Sequence, residues 1–203
     1  RYQMMPAIDR WVLSATLTAL RERVPVLGEI SVCAINLSGQ SLCDDHFLAS
    51  VVDMLEASAI NPAHICFEIT ETAAIANLTR AMRFITVLKG MGCRFALDDF
   101  GSGLISFMHL KHLPVDFLKI DGSFVRDMVK DPVDAAMVEA INRIGHVMGI
   151  RTIAEAVESQ AILGRLRDLG VNYAQGTIIA LPEPFGTGSP LLEAGGLVFE
   201  TRH

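Results

Sequence analysis

The sequence predicts an α/β fold with a mainly parallel sheet, and two observations carry that prediction. Short strand-like runs alternate along the chain with longer stretches whose apolar residues have helical spacing. Most of the strand-like runs lack a polar face, which is typical of a sheet covered by helices. These observations leave two architectures open, a doubly wound open sheet and a (β/α) barrel.

The elements follow one another in a regular order. Strands are predicted over residues 30–37, 64–69, 93–97, 117–120, 152–154 and 172–174. Helices are predicted over residues 9–23, 47–57, 78–88, 135–148 and 160–169. Gly90, Gly149 and Gly170 are expected to end helices as C-terminal caps. Residues 186–203 are predicted to form a linker or flexible tail after a domain over residues 1–185.

Length and composition limit the class of protein. The chain has 203 residues, 51% of them hydrophobic and 20% charged, which excludes overall disorder and favours one domain. Its net charge of −6 argues against binding duplex nucleic acid through the overall field. No apolar run reaches the roughly 18 residues of a spanning helix, and four widely spaced cysteines favour reduced thiols. We therefore expect a soluble, cytoplasmic domain. A larger parent protein that contains this domain could still be anchored to a membrane.

Polar side chains stand at the end of every predicted strand. Because the carboxyl ends of parallel strands emerge on one face of a sheet, these residues are expected to converge there. In chain order they are Asn36, Glu68, Asp98 with Asp99, Lys119 with Asp121, Glu155 with Glu158 beyond it, and Gln175.

A cluster of carboxylates repels itself unless cations neutralise it. Oxygen ligands without Cys or His favour Mg²⁺ or Mn²⁺ over zinc. The adjacent Asp98 and Asp99 could serve two ions, and a two-metal site suits phosphodiester hydrolysis. Lys119 could then offset phosphate charge or orient the attacking water. The structural alternative is an ion-pair network without a metal.

The motifs resemble those of the EAL-domain family, the cyclic di-GMP phosphodiesterases. The resemblance covers residues from about Asp9 to about Pro184 and rests on motifs in the family's order. They are DRWVL at 9–13, AINLS at 34–38, FEITET at 67–72, LDDFGSG at 97–103, LPVDFLKIDGSFV at 113–125, AEAVE at 154–158 and QG at 175–176.

The resemblance implies a TIM-like (β/α) barrel that hydrolyses cyclic di-GMP to linear pGpG with Mg²⁺ or Mn²⁺. It implies that Asn36, Glu68 and Asp98 ligate one metal and that Asp98 and Asp99 serve the second. Lys119, Asp121, Glu155 and Gln175 would hold the water and organise the site, with either Glu155 or Lys119 as proton acceptor. Glu71 and Glu158 would be supporting carboxylates. A homodimer and fusion to sensory or cyclase domains in the parent protein are also expected.

The sequence departs from the family pattern at several points. The segment with the name-giving Glu-Ala-Leu motif, which carries a further metal-ligating Glu and a nearby Arg, is expected upstream of Arg1, so the barrel is expected to lack its N-terminal start here. Leu104 and Ile105 replace polar loop positions, Ala156 replaces a Gly, and Thr177 replaces an aromatic residue. These changes keep open a catalytically degenerate domain that binds cyclic di-GMP or a protein partner, and more remotely an unrelated hydrolase on the same barrel.

Overall fold

The structure is a computed structural model that describes residues 4–23, 32–101, 110–182 and 199–200. It divides into two compact units. The first unit comprises residues 1–96 and 105–115, and the second comprises residues 97–104 and 116–203. Strand β3 (Arg94–Phe100) contributes residues to both.

The first unit contains a parallel strand pair with helices around it. Strands β1 (Cys33–Leu37) and β2 (Ile65–Thr70) are parallel, with Cys33 opposite Ile65 and Asn36 opposite Glu68. Residues 65–69 of β2 are all buried, the pattern of a strand covered on both faces. The helices are α1 (Met5–Arg23), α2 (Gly39–Leu42), α3 (Asp45–Ser58), α4 (Glu71–Ala76) and α5 (Leu78–Gly90).

Four phenylalanines form the centre of this unit's core. Phe47 of α3 stacks on Phe84 of α5 with ring centroids 6.1 Å apart, and Phe84 meets Phe95 of β3 edge-on at 6.4 Å. Phe95 also contacts Phe67 of β2 at 5.6 Å. All four rings are fully buried, and edge-on and offset pairs at these distances are favourable. The cluster therefore fixes α3 and α5 against the strands.

The second unit continues the strand–helix alternation. Its elements are the end of β3, then β4 (Phe117–Ile120), α6 (Gly122–Asp127), α7 (Pro132–Val147), β5 (Arg151–Ala154), α8 (Gln160–Asp168), β6 (Tyr173–Ala174) and β7 (Phe199–Glu200). Strands β4, β5 and β6 pair in parallel in that order, and β7 pairs antiparallel with β6. Because β4 and β5 are parallel neighbours, their carboxyl ends lie side by side.

The predicted elements agree with this structure except in detail. Strand β4 has the bounds predicted from the sequence, and the ends of β1, β2, β3, β5 and β6 shift by one to three residues. Strand β7 was not predicted, and it lies in the stretch expected to be a linker or tail. The proposed cap at Gly90 is wrong, because Gly90 is still helical and the left-handed residue is Gly92, at φ 105°. Gly149 and Gly170 follow their helices with φ of 73° and 71°, which confirms those two caps. Residues 30–31 and nearly all of the predicted tail over 186–203 lie outside the described residues.

In the part of the chain that the structure describes, no helix has the length and apolar character needed to cross a membrane.

Candidate metal centre

Asp98 and Asp99, at the end of β3, project their carboxylates to a common place. Consecutive strand residues normally point to opposite faces of a sheet. Asp99 instead adopts a left-handed conformation with φ 54°, which Asp tolerates better than most residues. The Asp99 N–H donates a hydrogen bond to Oδ1 of Asp98 at 3.0 Å. Asp98 is buried and Asp99 is exposed, so the pair spans the edge of the protein surface.

Glu155 completes a group of three carboxylates in the second unit. It follows β5 directly, and one carboxylate oxygen from each of Asp98, Asp99 and Glu155 lies within 4.8 Å of the others. Oxygen atoms at these separations could ligate a single divalent ion. The sequence predicted that these three residues converge, and the structure brings them together.

Lys119 lies between two of these carboxylates. Its Nζ is 2.9 Å from Oδ1 of Asp98 and 2.8 Å from Oε1 of Glu155, and its side chain is only 4% exposed. Lys119 is on β4, opposite Ile153 of β5, so neighbouring parallel strands deliver the ammonium and the Glu155 carboxylate to one edge. Three carboxylates and one ammonium leave an excess of negative charge, which suits a hard divalent cation with oxygen ligands.

Gln175 shapes the backbone around Glu155. Its N–H donates to the Ala154 carbonyl at 2.8 Å, and its own carbonyl accepts from the Val157 N–H at 3.0 Å. These two bonds bracket residues 155 and 156. A Cβ on Gly176 would overlap the backbone of Val157, so glycine is required where the chain passes this segment.

The other residues predicted for the second unit have separate partners. Asp121 caps α6, because its Oδ1 accepts a hydrogen bond from the Ser123 N–H at 2.7 Å. Glu158 is exposed and lies 3.6 Å from Nε of Arg126, outside the group of three carboxylates. Asp121 lies two residues after Lys119, and its capping hydrogen bond fixes the backbone directly after β4.

Three predicted site residues lie in the first unit. Asn36 is exposed and stands opposite Glu68 across the parallel pair of β1 and β2. Glu68 is 7% exposed, and Glu71, the first residue of α4, is 2% exposed. Glu68 also acts on a neighbouring thiol: burial, and to a smaller degree the Glu68 charge, raise the pKa of Cys33 to about 11.

Sequence reasoning missed Asp9 of α1. It is 5% exposed, and its Oδ2 accepts hydrogen bonds from the Ser38 N–H at 2.9 Å and the Ser41 hydroxyl at 2.6 Å. Two signals were available: Asp9 opens the DRWVL motif, and it stands at the start of the helix predicted over residues 9–23, where an acidic residue usually indicates only a favourable helix dipole. The changed loop positions Leu104 and Ile105 lie outside the described residues.

The fold and this carboxylate–ammonium arrangement define an α/β protein with a candidate divalent-metal centre at its strand ends. The family model for the EAL domain matches residues 1–182. The chain therefore belongs to the EAL domain family.

Relatives and solved structures agree with that assignment. The chain is 41% identical over 187 residues to the cyclic di-GMP phosphodiesterase PdeB of Shewanella oneidensis, covering 92% of this chain and 22% of PdeB. It is 34% identical over 151 residues to the bifunctional diguanylate cyclase/cyclic di-GMP phosphodiesterase MucR of Pseudomonas aeruginosa, covering 74% of this chain and 22% of MucR.

The fold matches the structure of the PaMucR phosphodiesterase in complex with c-di-GMP, with a TM-score of 0.80 and 31% identity over 91% of this chain and 72% of that one. EAL domains have a TIM-barrel-like fold, so the predicted fold class is confirmed. The chain spans about a quarter of the length of the curated relatives that it matches.

Proposed function

We propose that this chain is the catalytic domain of a metal-dependent phosphodiesterase that hydrolyses cyclic di-GMP to linear pGpG. The observation that carries the proposal is the group of Asp98, Asp99 and Glu155 with Lys119 between two of them. Membership in a family whose curated members include phosphodiesterases named for cyclic di-GMP supports the choice of substrate.

The residues present fit Mg²⁺ or Mn²⁺, because they offer oxygen ligands and an excess of negative charge. The proposed ligands of the first ion are Asn36, Glu68 and Asp98, and Asp98 and Asp99 are proposed to serve a second. When bound, the ions would supply Lewis-acid stabilisation of the charge that develops on the phosphodiester. The family resemblance supports the assignments of Asn36 and Glu68.

Glu155 is proposed as the proton acceptor in preference to Lys119. The Lys119 Nζ contacts two carboxylate oxygens, and an ammonium has no lone pair with which to accept a proton. Glu155 is partly exposed, and its carboxylate can take a proton from a water that approaches the site. Lys119 is proposed to hold the Glu155 carboxylate in place and to offset phosphate charge.

The remaining predicted residues are proposed to position the site. Gln175 supports the backbone that carries Glu155 through its two main-chain hydrogen bonds. Asp121 fixes the turn after β4 by capping α6, which supports a role in holding Lys119. Glu71 and Glu158 are proposed as supporting carboxylates on the family resemblance alone.

The proposed biological setting is a larger, multidomain protein. The matched relatives are several times longer than this chain, and the name of MucR includes a cyclase activity, which supports fusion to sensory or cyclase domains. Free cysteines at positions 33, 43, 66 and 93 support a reducing compartment. Homodimer formation is proposed by analogy with the family.

Asp98→Asn tests the proposed centre, because it removes charge while keeping shape. We expect loss of Mn²⁺-dependent conversion of cyclic di-GMP to pGpG, measured by chromatography at saturating metal. Glu139→Gln, which neutralises an exposed carboxylate on α7, is the matched control and should retain turnover. Unchanged turnover in Asp98→Asn at saturating metal would exclude the proposal that the Asp98 carboxylate serves both ions.

A degenerate cyclic di-GMP receptor is the second candidate, and one observation favours it. Ala156, where the family usually has Gly, adopts a left-handed backbone with φ 51° directly beside Glu155. Its Cβ lies 2.7 Å from the position a Cβ on Gly122 would take, so the extra methyl group fills space next to the proposed acceptor. Calorimetric binding of cyclic di-GMP without pGpG formation at saturating Mn²⁺ would select the receptor.

A further inference from the structure

A buried polar contact outside the proposed centre joins α1 to the end of β1. Asp9 is 5% exposed, and a single oxygen, Oδ2, accepts hydrogen bonds from the Ser38 N–H and the Ser41 hydroxyl. A buried carboxylate is costly unless it is hydrogen-bonded, and bonds to an ionised acceptor are about twice as strong as neutral ones. This contact is therefore a strong constraint on the segment that follows β1.

The constrained segment begins two residues after Asn36. Ser38 is the N-cap of α2: its Oγ accepts from the Ser41 N–H at 3.3 Å and lies 3.1 Å from the Ser41 hydroxyl. Asp9 therefore binds both the backbone of the capping residue Ser38 and the side chain of Ser41 in the helix. The junction between β1 and α2 is thus held by a residue of another helix, Asp9 of α1.

Asp9 itself has a rigid support. Leu13, Leu17 and Leu20, on the buried side of α1, are at most 5% exposed, so the helix is anchored by its own apolar face. Among the described residues, β1 is the first strand in the sheet order and pairs with β2. The end of β1 is consequently held by β2 through the strand ladder and by Asp9 through the Ser38 N–H.

We propose that Asp9 is a positioning residue for the phosphodiesterase reaction: by binding the Ser38 N–H and the Ser41 hydroxyl, it fixes the strand end that presents Asn36 to the metal. This inference rests on the proposed function, in which Asn36 is a ligand. In this role Asp9 is not itself a ligand, and its effect passes through the backbone between residues 36 and 38.

The two substitutions at Asp9 separate charge from geometry. Asp9→Asn leaves one amide oxygen that can accept both hydrogen bonds, so it should retain most of the metal affinity. Asp9→Ala leaves the Ser38 N–H and the buried Ser41 hydroxyl without this acceptor, and the strand end is released. Loss of an outer hydrogen-bond partner typically costs 10- to 100-fold in metal affinity, and we expect about tenfold here because the effect is indirect.

Asn142→Ala is the matched control for stability. Asn142 is 4% exposed in the second unit, and its Nδ2 donates to the Leu169 carbonyl at 2.8 Å, so its truncation also removes a buried hydrogen-bonded side chain. A merely structural role for Asp9 predicts that both variants lose melting temperature and keep the Mn²⁺ affinity of the folded fraction. The positioning role predicts weaker Mn²⁺ binding in Asp9→Ala alone.

The decisive measurement is a double-mutant cycle on Mn²⁺ affinity, by calorimetry of the 203-residue chain without nucleotide, with kcat and KM measured alongside. If Asp9 acts through Asn36, Asp9→Ala should weaken binding about tenfold in the wild-type background and have little effect after Asn36→Ala. Turnover should follow the metal affinity, with kcat lowered more than KM is raised.

The outcomes test separately whether Asn36 is a metal ligand and whether Asp9 positions it. Unchanged Mn²⁺ affinity in Asn36→Ala would overturn Asn36 as a ligand and, with it, the assignment on which the inference rests. Weaker binding in Asn36→Ala together with unchanged binding in Asp9→Ala, or fully additive losses in the double variant, would overturn the positioning role alone. Rescue in Asp9→Asn supports the geometric account.

Discussion

Lys119 and Glu155 form a close ion pair at the ends of neighbouring parallel strands, with Nζ and Oε1 separated by 2.8 Å. Lys119 is almost fully buried, whereas Glu155 keeps about a fifth of its side chain exposed. The lysine also contacts Asp98 at 2.9 Å, so one ammonium compensates two carboxylates. The repulsion between the two carboxylates is therefore offset by Lys119 and, when one is bound, by a divalent cation.

Lys119→Met should destabilise the metal-free protein, because it leaves Asp98 and Glu155 close together without their cation. Breaking a buried ion pair by removing one partner costs about 3 kcal/mol or more, and the partial exposure of Glu155 places this case near that lower end. Denaturant unfolding in EDTA measures the loss. Added Mg²⁺ should restore part of it, since a divalent ion can replace the missing positive charge. Equal stability of variant and wild type in EDTA would contradict this account.

Glu155→Gln should abolish proton acceptance while retaining the size of the side chain. General-base catalysis typically contributes 10²- to 10⁴-fold, so we expect kcat to fall by at least about 100-fold. Binding of cyclic di-GMP, measured by calorimetry, should change much less. A wild-type kcat in Glu155→Gln would show that Glu155 is not the proton acceptor.

Gly122 and Ala156 should behave as a coupled pair. Gly122→Ala would place its Cβ 2.7 Å from the Cβ of Ala156, and overpacking of this kind costs about 1–3 kcal/mol. Ala156→Gly removes that neighbour and also relieves a left-handed alanine, which costs about 1 kcal/mol. The double variant should therefore be more stable than Gly122→Ala alone, as measured by thermal or denaturant unfolding. Strictly additive effects would mean that the two residues do not press on each other.

Cys93 should make stability fall at high pH. Burial raises the pKa of its thiol from 9.0 to about 11, so the folded state holds the proton more tightly than the unfolded state does. Its contribution is fully present below about pH 9 and is lost as the pH rises through about 11. Cys93→Ala should show a smaller decrease in unfolding free energy between pH 8 and pH 11, read as the difference from wild type because other groups also titrate there. An identical pH dependence in the two proteins would exclude this linkage.

Local sequence was sufficient for strands β1 to β6 and for the longer helices. The run Phe117–Ile120 is apolar apart from Lys119 and is bounded by polar residues, so both of its ends were visible without tertiary information. Helices α2, α4 and α6 are four to six residues long, too short for apolar periodicity to indicate, and they were missed. Each of these helices begins at a capping residue such as Ser38 or Asp121, whose side chain accepts a hydrogen bond from a backbone N–H in the first turn of the helix. Such a residue caps a helix only where the preceding strand ends, and local sequence does not mark that point.

The strand-end carboxylates were also predictable, because parallel strands deliver their last residues to one face. Asp98 and Glu155 were found on that ground alone, the residue types indicated a metal site, and the family resemblance added the assignment of Glu155 as a candidate proton acceptor. The sequence by itself therefore determined the fold class, the family and the residue types available for a metal centre.

Tertiary structure decided which of those side chains meet. The left-handed backbone at Asp99 sets its direction, and the register of β4 against β5 puts Lys119 beside Glu155, while Glu158 lies against Arg126. Asp9 and Ser38 are 29 residues apart, and no local pattern relates a helix residue to a distant strand end. Such contacts depend on how elements pack in three dimensions, because hydrogen bonds and ion pairs act over a few ångströms of space and carry no periodic signal along the chain.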